Sequence, residues 1–312
     1  GAAAAAGAVG GAGGGAGGEL SQTANSYISL GAFETMGGDV GRAATGIAYM
    51  QEALALQETA YTQEADPRRK ARKGLALAQS LLELGRQHHQ QQDARDAVEH
   101  YIRARGLAEE FLAAHAPAAG AEAAAETPAP AGAPGAPDAA SSADANSKRA
   151  VNYARFVFSE ICSSLGVAYN DLGRADEALE EHQRALALRQ ETVGKSHPSV
   201  AECFNNLGAV YHGRGAFEKA SDHYEKALEQ LTAAAGGRQE GVYVALTLYN
   251  IGVCRAGLGH VREADAALRK ALELARGALG VDHYQVDLIK ETLQQLQQRG
   301  GPPRPPGGAD AP

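Results

Sequence analysis

The side chains best placed to act on another molecule are amides and carboxylates on helical stretches, and the chemistry they offer is hydrogen bonding. Between Cys203 and Gln230 the chain reads Cys203-Phe204-Asn205-Asn206-Leu207-Gly208-Ala209-Val210-Tyr211, a turn over His212 to Ala216, then Phe217-Glu218-Lys219-Ala220 running on to Tyr224, Ala227 and Leu228. At a helical period, Phe204, Leu207 and Tyr211 form one stripe, and Glu202, Asn205, Asn206 and His212 lie opposite it. Asn both donates and accepts, so a line of such residues can hold an extended peptide by its backbone. Equivalent positions hold Glu160, Ser163, Ser164 and Asn170 upstream, Leu246, Tyr249 and Asn250 downstream, and Gln79, Glu83, Arg86 and His89 earlier still. The residues expected to contact a protein partner are Arg86, Asn170, Glu202, Asn205, Asn206, His212, Tyr249 and Asn250. The competing expectation is that they are solvated or brace neighbouring helices; peptide contact is favoured at Asn206 and Asn250.

Other chemistries find less support. Gly194-Lys195-Ser196 has the ending of a phosphate-binding loop, but Arg189 stands where the first glycine is required, and a helix rather than a strand precedes it. The histidines include His88-His89 without a metal-ligand spacing, and no nucleophile, base and orienting acid fall in a recognisable order. No catalytic, cofactor-binding or metal-ligating residue is expected. The run Arg68-Arg69-Lys70-Ala71-Arg72-Lys73 reads as a solvated helix start, ahead of an import signal or a contact for an acidic partner.

A net charge of −8 argues against a nucleic-acid binder, which needs a concentrated basic face. No run of 18 apolar residues suggests a membrane span. Cys162, Cys203 and Cys254 are an odd number without CxxC spacing, which fits a reducing compartment and a cytoplasmic address.

The elements that must position the polar line repeat. Leu165-Gly166, Leu207-Gly208 and Ile251-Gly252 recur at intervals of 42 and 44 residues, and Gly194/His197 and Gly280/His283 mark connectors 86 residues apart. Ala220 and Ala227 share one helical face, where small side chains admit a neighbouring helix, while Tyr211 and Tyr224 fill the space around them. Residues 1–18 are read as a disordered Gly/Ala leader and 19–115 as two hairpins. An Ala/Pro-rich disordered linker follows over 116–147, then three hairpins over 148–282, a capping helix over 283–299 and a disordered tail over 300–312. A first residue that is Gly rather than Met suggests a fragment or a processed chain.

Leu207, Gly208, Tyr211, Ala220, Tyr224 and Ala227 together resemble the tetratricopeptide repeat signature. A unit of 42 to 44 residues with a Gly-x-x-His-Pro connector is similar to the longer variety in kinesin light chains and nephrocystin-3-like proteins. The resemblance implies an all-α solenoid of helical hairpins coiled into a right-handed superhelix, with the first helix of each hairpin lining a concave groove. It also implies a non-catalytic scaffold that binds a peptide or helix of a protein partner within a larger assembly. The alternatives are a recruitment or sensor arm of a larger enzyme or motor, or a structural part of a cytoskeletal or ciliary lattice. Arg255 and His88 depart from the signature where Tyr169 and Tyr211 stand, and Gly46 departs where Ala178 does.

Overall fold

The computed structural model describes residues 23–24, 26–30, 40–115, 139–236 and 241–300. Among these there is no strand. Ten helices carry the fold: α1 (Val40–Thr62), α2 (Pro67–Gln90), α3 (Ala94–Ala114), α4 (Ala139–Asp171), α5 (Ala175–Val193), α6 (Pro198–Gly213), α7 (Phe217–Ala234), α8 (Val242–Gly257), α9 (Val261–Leu279) and α10 (Tyr284–Gly300). The chain forms two compact units, Gly1–Ala168 and Tyr169–Pro312. In the first, α2 packs on α1 and α3; in the second, each helix from α5 to α10 packs on the next. Leader 1–18, linker residues 116–138 and tail residues 301–312 lie outside the described residues.

Helix α4 begins at Ala139, inside the stretch assigned to the linker as far as residue 147. After Pro137 nothing in Ala-Ala-Ser-Ser-Ala-Asp-Ala breaks a helix, and alanine is the strongest helix former. The prolines before it had lent their character to the whole run. At the N-terminal side, residues 26–30 are helical and Tyr27 stacks on Tyr49 of α1, ring centroids 6.0 Å apart.

Local chemistry explains where the helices start and stop. Asp66 caps α2 by accepting from the Arg69 N–H at 2.7 Å, and Pro67 occupies the first turn, where a missing N–H costs nothing. The Gly/His connectors have a mechanism as well. Gly194 ends α5 at φ 85° and Gly280 ends α9 at φ 89°, conformations that favour glycine. His197 Nδ1 then accepts from the Ser199 N–H at 3.2 Å, and His283 Nδ1 from the Gln285 N–H at 3.3 Å. Glycine lets the chain leave one helix, and the imidazole receives an otherwise unpaired amide at the start of the next.

In three hairpins a tyrosine ring or a leucine side chain closes on a glycine of the facing helix. A Cβ added at Gly208 would lie 2.7 Å from Cε1 of Tyr224, one at Gly85 2.5 Å from Cε1 of Tyr101, and one at Gly252 2.7 Å from Cγ of Leu268. Alanines flank these contacts: Ala97 and Ala104, Ala220 and Ala227, Ala264 and Ala271 are all fully buried. Helix α10 lays Val286, Ile289, Leu293 and Leu296 against α8 and α9 and turns Gln294, Gln295, Gln297 and Gln298 outward.

Overpacking and freed space predict opposite effects at two glycines. Gly208→Ala should destabilise by about 1–3 kcal/mol, since the Tyr224 ring must move. Gly106→Ala, on an exposed helix position with nothing within 4 Å of its Cβ, should stabilise by about 0.5–1 kcal/mol. Urea denaturation of both variants checks this, and a neutral Gly208→Ala would remove the contact from the account.

Candidate functional site

The polar face of α6 and the start of α8 enclose a cleft of about 470 Å³. Its walls include Glu202 and Asn205 from α6, Leu231 from α7, and Tyr243, Leu246 and Asn250 from α8. Helical spacing puts them there: 202 and 205 are one turn apart on α6, and 243, 246 and 250 share one face of α8. Tyr243 is 75% exposed. Leu246 and Asn250 are half-buried.

Two residues of the cleft are held from behind. Arg189, on α5, is 1% exposed and donates from Nη1 to the Ser199 carbonyl at 2.7 Å and to Glu202 Oε2 at 2.9 Å. A cation under the groove floor thereby pins both the first turn of α6 and the carboxylate at the cleft wall. Asn205 Nδ2 donates to the Thr247 hydroxyl at 3.1 Å, and that hydroxyl donates back to the Tyr243 carbonyl at 2.8 Å. Asn205 therefore braces α6 against α8.

The other expected contact residues are distributed. Asn206 is half-buried on the same face of α6. His212 meets Phe217 edge-on, centroids 5.4 Å apart. Tyr249 packs on the core between α8 and α10, its hydroxyl 3.5 Å from that of Thr292. Asn170, near the end of α4, gives its carbonyl to the Gly173 N–H at 3.0 Å in the turn to α5. Arg86 belongs to the other unit, where it pairs with Glu160 at 2.8 Å, and Gln79 donates to the Tyr153 hydroxyl beside it. Glu202, Asn205 and Asn250 line one cleft.

The sequence reading does not single out Arg189 as the residue that holds Glu202. Its signal is present in the sequence, since Ala178, His182, Ala185 and Arg189 follow one another at helical spacing on a buried face, where an arginine demands a partner. His182, 1% exposed, stands where the other hairpins have Tyr101, Tyr224 and Leu268. Burial and the positive charge of Arg189 push its pKa down to about 4.

The three cysteines are buried and unpaired with one another, and burial pushes the Cys254 thiol up to about 11, far from a reactive thiolate. Gly194-Lys195-Ser196 is the connector before α6. His88, Asp93 and Asp96 bring ligand atoms within 4.8 Å of one another at the turn between α2 and α3. Asp93 and Asp96 are exposed there, and the Asp93 carboxylate accepts from the Asp96 N–H as a helix cap. No described helix is long and apolar enough to cross a membrane.

One family model described as tetratricopeptide repeat matches residues 160–233, and another of the same description matches residues 245–277. Residues 160–233 and 245–277 are tetratricopeptide repeats. The repeat region is similar in sequence to kinesin light chain-related proteins. Kinesin light chain-related 2 of Arabidopsis thaliana is 31% identical over 118 residues, covering 38% of this chain and 18% of that protein. Subunit 4 of the outer dynein arm-docking complex of Danio rerio is 32% identical over 108 residues, covering 35% of this chain and 20% of that one. The matches therefore span about a fifth of these relatives' length. Among solved structures, BtubC (BKLC) from P. vanneervenii superposes with a TM-score of 0.54 at 20% identity, covering 81% of this chain and 84% of that one. The apo form of RapI gives 0.55 at 15% identity, covering 88% and 84%. At these identities the likeness is one of fold.

A pH dependence follows from His182. Neutral when folded, it takes up a proton on unfolding between about 4 and its ordinary 6.5. Its contribution is complete above 6.5 and is lost as pH falls toward 4, by about 3 kcal/mol in all. His182→Leu, the residue type at position 268, should flatten the fall in thermal midpoint over that range. An unchanged slope would assign the pH dependence elsewhere.

Proposed function

We propose that this tetratricopeptide repeat chain is a non-catalytic interaction scaffold and that the cleft between α6 and α8 receives a peptide or helical segment of a protein partner. The observation that carries the reading is a prebuilt cleft that sets the 75%-exposed Tyr243 and the side chain of Leu246 beside the Asn250 amide and the braced Glu202 carboxylate. An apolar anchor flanked by a few fixed polar groups is how peptide grooves combine affinity with register. Because Arg189 and Thr247 already hold the wall residues, little rotamer entropy is lost on binding.

The groove of the first unit does not favour a clamp for a partner's terminal carboxylate. Arg86, its expected cation, is already paired with Glu160. An assembly on the cytoskeleton or in a cilium, in the cytoplasm, is the setting this reading takes. It draws on the similarity to proteins named for kinesin light chains and for the outer dynein arm-docking complex. A second reading, that the chain is the recruitment arm of a longer motor-associated protein, is supported by the small share of those relatives that it matches.

The test uses affinity capture from the source cell, followed by binding of the recovered partner to purified variants. Tyr243→Ala with Asn250→Ala should weaken binding by about tenfold or more, as expected when an aromatic anchor and its neighbour are removed. Asn206→Ala should report whether the rest of the α6 face takes part. Undiminished binding by a folded Tyr243→Ala/Asn250→Ala variant rejects the cleft.

A further inference from the structure

The basic run at the start of α2 is divided by the fold into two sets. Lys70 and Lys73 turn inward: Lys70 Nζ lies 4.9 Å over the Tyr61 ring, and Lys73 donates to the Ala60 carbonyl at 3.0 Å and pairs with Glu64 at 2.8 Å. Ala71 is buried between them. Arg68, Arg69 and Arg72 turn outward, all exposed, and at 3.6 residues per turn they fall within an arc of about 100°.

The carboxylates of the surrounding elements are engaged elsewhere. Glu58 pairs with Arg103 at 2.6 Å, Glu64 with Lys73, and Glu110 accepts from the Tyr61 hydroxyl at 2.7 Å. Asp66 caps the helix. Arg69 reaches Glu64 only as a more distant charge, one that helps hold that carboxyl below its ordinary range. The result is an exposed cationic patch on a chain whose net charge is −8.

Local electrostatics does not account for the patch. The first turn of a helix favours acidic side chains and disfavours cations, and α2 has no acidic residue there. These arginines therefore stand where they do not help the helix, unlike the two lysines, which tie α2 to α1. A residue set that breaks a local rule without a gain inside the fold is a candidate for recognition of something outside it.

We propose that Arg68, Arg69 and Arg72 form a second interaction surface, separate from the α6–α8 cleft, that binds an acidic, Asp/Glu-rich segment of a partner protein. Guanidinium groups form paired hydrogen bonds with carboxylates, and three on one short arc suit a few consecutive acidic side chains. Nucleic acid is the weaker match, because the patch is one helical turn on an acidic chain rather than a basic face. A membrane surface is weaker too, since no exposed large apolar residue lies within the run to insert beside the charges.

Fluorescence anisotropy on the full chain tests this, with a short labelled peptide of Glu and Gly and the same peptide carrying Gln in place of Glu. The wild type should bind the Glu peptide and not the Gln peptide, more weakly at about 200 mM salt than at about 50 mM. Arg68→Gln/Arg69→Gln/Arg72→Gln should lose about tenfold or more in affinity while its thermal midpoint stays equal or rises, because cations leave a helix N-terminus. Tyr243→Ala should bind the Glu peptide as the wild type does, which separates this surface from the cleft. The proposal is overturned if the wild type ignores the Glu peptide or if the triple variant binds it undiminished. Tighter binding of double-stranded DNA or phosphatidylserine vesicles at the same salt would also overturn it.

Discussion

In three hairpins a ring or branched side chain fills the space that a glycine of the facing helix leaves open. Tyr101 over Gly85, Tyr224 over Gly208 and Leu268 over Gly252 bring the paired helices so near that a single added carbon would overlap the facing side chain. Buried alanines extend the contact along each second helix. With the helices locked at that spacing, side chains on their outer faces acquire fixed neighbours. Small residues thus do here what bulky anchors do in a centralised core.

The same architecture explains how a buried charge is tolerated and used. Arg189 lies within the packed layer, yet it finds the Ser199 carbonyl and Glu202 as partners at the edge of the next helix. An isolated buried cation would be strongly unfavourable. Here it joins α5 to α6 and orients a carboxylate at the cleft wall. Its charge is also felt inward, at His182, which stays neutral in the position other hairpins give to Tyr or Leu. The fold accepts two ionisable groups in one layer by keeping one charged and paired and the other uncharged.

Most of the hairpin organisation was legible in the residues, because Leu-Gly, Ala-Ala and Gly/His spacings recur and each has a local physical cause. The connector histidines show how far this reaches: their recurrence at 86 residues was visible, while their service as acceptors for Ser199 and Gln285 needed coordinates. The start of α4 was less legible, since composition averages over a run and Pro137 ends the influence of the prolines before it. The candidate site was legible by face and not by partner. Asn205 and Asn250 have the same chemistry and similar spacing, but Asn205 is held by Thr247 while Asn250 opens onto the cleft.

What the sequence determined by itself is periodic: the helix pairs, their small-residue seams, and which side chains lie opposite the apolar stripe. Such features depend on neighbours within a turn or within one hairpin, where spacing is enough to infer contact. Only the tertiary structure decided how each polar group is spent. It assigned Arg86 to Glu160, Asn205 to Thr247, Lys73 to Glu64, and turned Arg68, Arg69 and Arg72 to solvent. The first two pairings join residues from different helices, 74 and 42 positions apart, and a long side chain's partner depends on distances of a few ångströms that sequence spacing does not encode.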